Sequence, residues 1–469
     1  MLTRRLLSGI VILLTACSPF PASKIEPPKL PEQYLAAEAM GGVVLPDRWW
    51  ESFHDPQLNS LQQQLFAGNL DLRQALYRLQ QLDALQRSSA ASLWPSLGLN
   101  GSLSRDHTPG ISGSTTATNH QVSLAAGYEI DLWKRLNNRD QATQLRRQAG
   151  RNEVQTLQLS LSAQLADQYF LAAEQRAQLQ LGEQQVDSYR QLVDILNDRY
   201  RVGLADTGEL YQARQNLAMA EARLPNFRAN LRQAENSIAL LLGQPPQLQT
   251  IGGDQLPRLN TVIASGLPAS LLVKRPDISA ALLQVQAADH DLAAALAERL
   301  PAVNLTATLG HSASQAAFGN IEGSFWSLAL GLTQPLIDGG RRRAEADRQQ
   351  ALREEKLAAY QQAILAAIQE VETALSNDEN SARRQQLLEQ QLQAGRQEVL
   401  LARDNYRSGL IDSSSLLASE LRYYEINSQL LTNRRQWLSH RITLARALGG
   451  SWMAEELDRQ MQILSRQQD

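Results

Sequence analysis

The sequence comprises 469 residues with 45 basic and 48 acidic side chains, a formal charge of -3, so no strong field points to nucleic acid or an acidic ligand. Aromatics make up only 5%. Leu, Ala, Gln, Arg and Glu dominate, the palette of long helices rather than of about three ordinary globular domains. Beyond the N-terminus no run approaches the roughly 18 apolar residues of a membrane helix, so any bilayer crossing falls to strands.

Residues 1–17 read as an export signal. Arg4 and Arg5 form the basic region, Leu6 to Leu14 the apolar stretch, and Leu14-Thr15-Ala16-Cys17 a small-residue cleavage site. That tetrapeptide resembles the bacterial lipobox, whose cysteine is acylated. Cys17 is the only cysteine, so no intrachain disulfide is available and lipidation is the expected use. Several acyl chains on one residue make anchoring stable. Ser18 resembles an outer-membrane sorting signal. Residues 18–56 follow as an extended leader, rich in proline up to Pro46.

Landmarks then recur at a constant offset of 206: Pro95 and Pro301, Arg135 and Arg341, Gly203 and Gly409, Gly243 and Gly449. Tyr200-Arg201-Val202-Gly203-Leu204 matches Tyr406-Arg407-Ser408-Gly409-Leu410 in the same register. Chance likeness between helices does not hold register this far, so the chain is a duplication. The first copy runs over 57–243 and the second over 263–449. A breaker-rich linker, 244–262, separates them, and 450–469 follows as a C-terminal tail, equatorial if the resemblance named below holds.

Each copy is expected to run helix, strand, loop, strand, long helix, turn, helix. The first helix covers about 57–93. Two strands of about ten residues follow, with Leu97, Leu99 and Leu103 on one face and Ser96, Asn100 and Ser102 on the other. The second copy repeats this with Val303, Leu305, Ala307 and Leu309, and with Trp326, Leu328, Leu330 and Leu332. Small polar residues opposite an apolar face suit membrane strands around a wet lumen, although a half-solvated soluble sheet alternates equally. The loops, Arg105 to Asn119 and His311 to Gly323, are rich in Ser, Thr and Gly. Trp94, Tyr128, Trp133 and Trp326 are expected at strand ends, as an interfacial girdle. Four strands cannot close a barrel and open edges are not tolerated in lipid, so other chains must complete it.

Residues of about 134–201 and 341–407 contain no proline and carry Leu and Ala at helical spacing. At ~1.5 Å per residue each is a helix of ~100 Å. The returning helix of the first copy, about 206–242, is roughly half as long. A rod-like coiled-coil scaffold would use such helices too, but leaves the strand pairs unexplained.

These residues together resemble the outer-membrane factor family, the TolC-like and OprM-like exit ducts of tripartite efflux and type I secretion systems. The most specific pieces are Gly127-Tyr128-Glu129-Ile130-Asp131-Leu132-Trp133, its counterpart Pro335-Leu336-Ile337-Asp338-Gly339-Gly340-Arg341, and Arg275-Pro276-Asp277-Ile278. The lipobox resembles that of the NodT-type lipoprotein branch. The resemblance implies a mostly helical fold with a trimeric twelve-stranded outer-membrane barrel, four strands per chain, continuous with a long periplasmic α-helical barrel. It implies a passive duct for small molecules such as drugs, with a periplasmic adaptor and an inner-membrane pump as partners. Type I protein secretion and a tethered scaffold without a pore stay open as alternatives.

The tips between long and returning helices would be the working end. Gly203-Leu204 and Gly409-Leu410 would meet the adaptor, the glycines stopping the long helices in αL geometry. Asp206 and Asp412 would cap the returning helices, Asp206 with Glu209 as a capping-box analogue. The resemblance places acids beyond these glycines at a closed entrance. Glu209 matches, but the second copy carries Ser415 and Ala418 there and Ile411 in place of an occasional Arg. Closure is therefore expected mainly by packing, with Asp206, Glu209 and Asp412 as polar elements.

The six histidines have no ligand spacing. Asp289-His290-Asp291 reads as a solvated helix surface. No phosphate loop, nucleophile elbow or dinucleotide fingerprint occurs. The sequence therefore carries no enzyme constellation, cofactor or metal, and a partner must supply the energy.

Overall fold

The computed structural model describes residues 31, 34, 46–109, 111, 114–246, 256–259, 274–316 and 319–466. Cys17, the export signal, most of the leader and most of the linker lie outside the described residues. The elements are α1 (Pro56–Gly68), α2 (Leu70–Ala91), β1 (Ser96–Thr108), β2 (Thr115–Ile130), α3 (Arg135–Arg201), α4 (Thr207–Leu241), α5 (Pro276–Ala297), β3 (Ala302–Ala316), β4 (Gly319–Thr333), α6 (Arg341–Arg407), α7 (Ser413–Leu448) and α8 (Trp452–Arg466). Helices α3 and α6, each 67 residues long, begin and end 206 residues apart, as do α2 and α5.

Two compact units divide the chain. Among the described residues, one comprises those within 78–151 and 279–362, the other those within 31–77, 152–278 and 363–466. The first holds a four-stranded antiparallel sheet in the order β1-β2-β3-β4. Register is continuous, Leu99 opposite Leu124, Leu124 opposite Leu309 and Leu309 opposite Trp326. Gly310 leaves room for Phe325, whose ring end would overlap any side chain there. An aromatic covering a cross-strand glycine pins register in the same way that designed sheets use it.

Around the sheet, helices lock by charge. Arg353 of α6 bonds Asp289 at 2.7 Å, Asp291 pairs with Arg146 of α3, and the ring of His290 bonds Asn138 at 2.8 Å. The Asp289-His290-Asp291 run is therefore no solvated surface. Successive residues fan out, but here each direction meets a neighbouring helix, and the Asp289 side chain is 8% exposed.

In the second unit the break between α1 and α2 corrects the expectation of one helix over 57–93. Asn69 leaves helical geometry at ψ 128°. Its amide donates to the Leu241 carbonyl at 2.7 Å while its oxygen receives the Leu72 amide at 2.8 Å. Asn69 thus caps α2 and satisfies the end of α4 together. Gly68 sits so close to Leu242 that a side chain there would overlap the Leu242 carbonyl.

The strands run 13, 16, 15 and 15 residues, longer than the expected ten. Much of 105–119 and 311–323, expected as loops, is ladder. Polar side chains hold this extension: Asn119 donates to Asp106 at 2.9 Å, and Ser314 donates to Asn119 at 2.7 Å. Thr- and Ser-rich sequence pairs well when both faces can be wet. Trp326 consequently lies in the middle of β4 and not at its end.

Candidate functional sites on the sheet and at the helix ends

Residues directly opposite in a sheet share a face. One face carries Leu99, Leu124, Leu309 and Trp326 in one row, and Leu97, Ala126, Ala307 and Leu328 in the next. Leu305 and Leu330, then Val303 and Leu332, continue it. In the single chain these side chains stand open, Leu97 at 73% and Trp326 at 77% exposure. So large an apolar surface needs an apolar partner. From Leu332 to Trp326 the band is ~20 Å tall at ~3.4 Å per residue, close to the ~25 Å lipid-facing band of outer-membrane barrels. Above it the same face mixes Val122 and Leu103 with His311, His120 and Glu322.

The opposite face carries Asn100, Ser123 and Gly310 in one row and Ser102, Gln121 and Ser312 in another, with Phe325 as its largest apolar member. At the foot of the sheet Trp133 donates its indole N–H to Pro301 at 2.7 Å. Arg135 pairs with Glu129 at 2.6 Å. Asp338 receives the Gly340 and Arg342 amides, and these bonds with the Arg342 charge hold its carboxyl below the usual range despite desolvation. Among the described residues no helix is long and apolar enough to cross a membrane.

In the other unit the helix ends form two matching turns. Gly203 and Gly409 lie at φ 74° and 72°. Leu204 donates its amide to Arg199, and Leu410 donates to Asn405, both at 2.8 Å, while the glycine amides reach Tyr200 and Tyr406. Each turn is a Schellman motif. Asp206 then receives the Glu209 amide and Asp412 the Ser415 amide, both at 2.8 Å. Hydrogen bonds from Ser415 and Ser414 hold the Asp412 carboxyl below its ordinary value. Both aspartates thus sit as helix caps, and Glu209 stands in the first turn.

Behind the turns lies an apolar cluster from both copies, with Leu196 and Leu210 of the first and Tyr406 and Leu416 of the second. Ala205 and Ile411, the unequal positions of the repeat, both pack against it. Leu204 and Leu410 point away, 70% and 73% exposed.

Sequence reasoning missed a polar lock between the copies. Glu420, 4% exposed, receives Arg403 at 2.9 Å and Ser188 at 3.2 Å. Arg199 lies over the Tyr406 ring at 5.3 Å. The one available signal was the 4-3-4 spacing of Ser413, Leu417, Glu420 and Tyr424, a stripe a helix buries as a unit.

A family description of outer membrane efflux protein matches residues 61–244 and 267–450, two spans that keep the offset of 206. The chain belongs to the outer membrane efflux protein family. It is similar to the pyoverdine export outer membrane protein OpmQ of Pseudomonas putida, 31% identical over 94% of this chain and 96% of that one. It is 27% identical to the cation efflux system protein CusC of Escherichia coli, over 94% and 97%. The solved outer-membrane channel OprN superposes with a TM-score of 0.86 at 26% identity, covering 93% of this chain and all of that chain. The chain is thus an outer-membrane efflux channel of the tripartite kind, mostly helical with one four-stranded antiparallel sheet.

Proposed function

We propose that three copies of this chain assemble into one duct, each giving four strands to a twelve-stranded barrel and its long helices to a periplasmic tunnel. The observation that carries this reading is the sheet itself. It has a tall apolar band on one face, small polar residues on the other, and unpaired edges at β1 and β4. Lipid accepts neither an open edge nor a half-closed sheet. Twelve strands lie within the range of known barrels. Cys17 anchors the chain to the same membrane through its acyl chains.

The duct is passive. A periplasmic adaptor contacts the tips at Gly203-Leu204 and Gly409-Leu410, and an inner-membrane pump supplies energy and chooses the cargo. Relatives of similar identity carry names for pyoverdine export, cation efflux and toluene efflux, cargoes with no shared chemistry. A wide polar lumen that does not choose is consistent with that spread. At rest the entrance closes mainly by the apolar cluster behind the tips, with Asp206, Glu209 and Asp412 as minor polar elements.

Purified protein in planar bilayers tests this. Folded trimers should conduct, and Glu209→Ala with Asp412→Ala should change the cation block only modestly. Trimers that fold but pass no current would leave a tethered scaffold as the function. Labelled palmitate should enter the parent chain and not Cys17→Ala.

A further inference from the structure

The two strand-to-helix junctions of the repeat differ in what they leave open. In the first, Arg135 pairs with Glu129, and Asp131 receives the Leu136 and Asn137 amides. Moved by 206, Glu129 becomes Pro335 and Asp131 becomes Ile337, while Leu136 and Asn137 become Arg342 and Arg343. Arg341, the counterpart of Arg135, has therefore lost its acid. It is exposed and makes no ion pair among the described residues.

Positive charge is left over at this foot of the sheet. Glu298 is taken by Arg139, Asp338 by Arg342 and Glu345 by Arg348. Lys134, Arg299, Arg341 and Arg343 are exposed and have no acid partner among the described residues. Asp347, a turn further along α6, is exposed too and offsets one of them.

Apolar surface is left over beside that charge. Leu336 and Ile337 stand 88% and 96% exposed, and Leu336 lies four residues beyond Leu332, the lowest row of the apolar band. A cavity of about 230 Å³ opens at the same junction, its wall holding Leu132, Leu300 and Pro335 together with Arg341 and Arg342.

Apolar side chains next to unpaired cations match the boundary between acyl chains and phosphates. A guanidinium fork takes two phosphate oxygens at once. A second copy that paired its β1 with the β4 edge would bring residues 86–98 here, and that stretch carries Arg87 and no acid. It would leave the cations unanswered. Neighbouring residues on a helix also point to different sides, so Arg341 and Arg343 suit a layer of headgroups better than one small anion.

We propose that this second junction sits in the headgroup layer of the leaflet nearer the helices. Arg341 binds the phosphate of an anionic phospholipid at the cavity, and Leu336-Ile337 enters the acyl layer. This rests on the membrane barrel proposed above and adds a lipid preference to it.

A dye placed on the loop tests it in the full-length chain. Ile337→Cys gives the mature protein one free thiol, since Cys17 is consumed by the proposed acylation. The labelled protein is inserted in phosphatidylcholine vesicles containing a little phosphatidylglycerol, or a little extra phosphatidylcholine, with a nitroxide near the top of one acyl chain. Both lipids should quench the dye, and phosphatidylglycerol should be enriched about fivefold around it, the effect of one cation at an anionic surface. Arg341→Gln should remove the enrichment, and raised salt should weaken it without any substitution. Equal quenching by the two lipids, or an enrichment that survives Arg341→Gln, overturns the site. Loss of the enrichment to glycerol phosphate in the buffer overturns it in favour of a soluble anion. Conductance of the same labelled chain reports the barrel separately. A conducting channel without quenching means that a second copy covers the loop, and overturns the proposal alone. Absence of both conductance and quenching overturns the barrel on which it rests.

Discussion

Trp133 donates its indole N–H to the carbonyl of Pro301 at 2.7 Å, tying the foot of the first hairpin to the foot of the second. Pro301 has no amide of its own and opens β3, so its carbonyl is the one backbone group that can be fixed from outside the ladder there. Trp133→Phe keeps the ring and removes the donor. The expected cost is about 1–2 kcal/mol, because a half-buried carbonyl is left without its partner. Denaturant unfolding in detergent micelles should show it as a lower midpoint with unchanged slope.

Much of this fold was legible because the repeat records backbone needs and not only composition. Gly203 and Gly409 need positive φ, Asp206 and Asp412 must accept amides, and such needs survive duplication in register. The break at Asn69 was harder, since its reason lies in the Leu241 carbonyl, 172 residues away. Nothing in the sequence joins Ser188, Arg403 and Glu420, for the same reason. Charge on a helix shows no destination until another helix arrives. The strands overran expectation because the apolar band ends before the pairing does.

Gly243 and Gly449 offer a matched pair. They lie at φ 70° and 75°, and an added methyl would overlap the carbonyl of Gly68 in one and of Lys274 in the other. Those carbonyls are themselves 206 residues apart. Alanine at either position meets positive-φ strain of about 1–3 kcal/mol before any clash, and Gly449, at ψ −154°, lies where essentially only glycine is found. Gly243→Ala and Gly449→Ala should therefore both destabilise by more than about 1 kcal/mol in the same unfolding assay, Gly449→Ala the more.

Asp412 predicts a pH dependence. Its folded pKa is lowered by Ser415 and Ser414, so the cap's contribution is fully present above the ordinary aspartate range. It is lost as pH falls through the lowered value. Protection of the Ser415 amide, corrected for intrinsic exchange, should hold at neutral pH and decline only in acid. Asp412→Ala should remove that protection at neutral pH and abolish the acid transition.

Leu204 and Leu410 occupy the place in a Schellman motif where an apolar residue ordinarily folds back on its own helix. Here both stand outward, and Val202 beside the first is 69% exposed where the second tip has Ser408. An apolar knob held by a rigid turn is suited to a partner's groove. Leu204→Asp and Leu410→Asp should each lower dye export in cells about tenfold, the loss of ~1.4 kcal/mol of docking energy. Leu204→Asp should be the more damaging, because its tip presents the larger apolar surface. Conductance of the purified channel should not change with either substitution. A parallel fall in conductance would mean that the leucines hold the entrance and do not dock the adaptor, since only the docking role needs a partner to be seen.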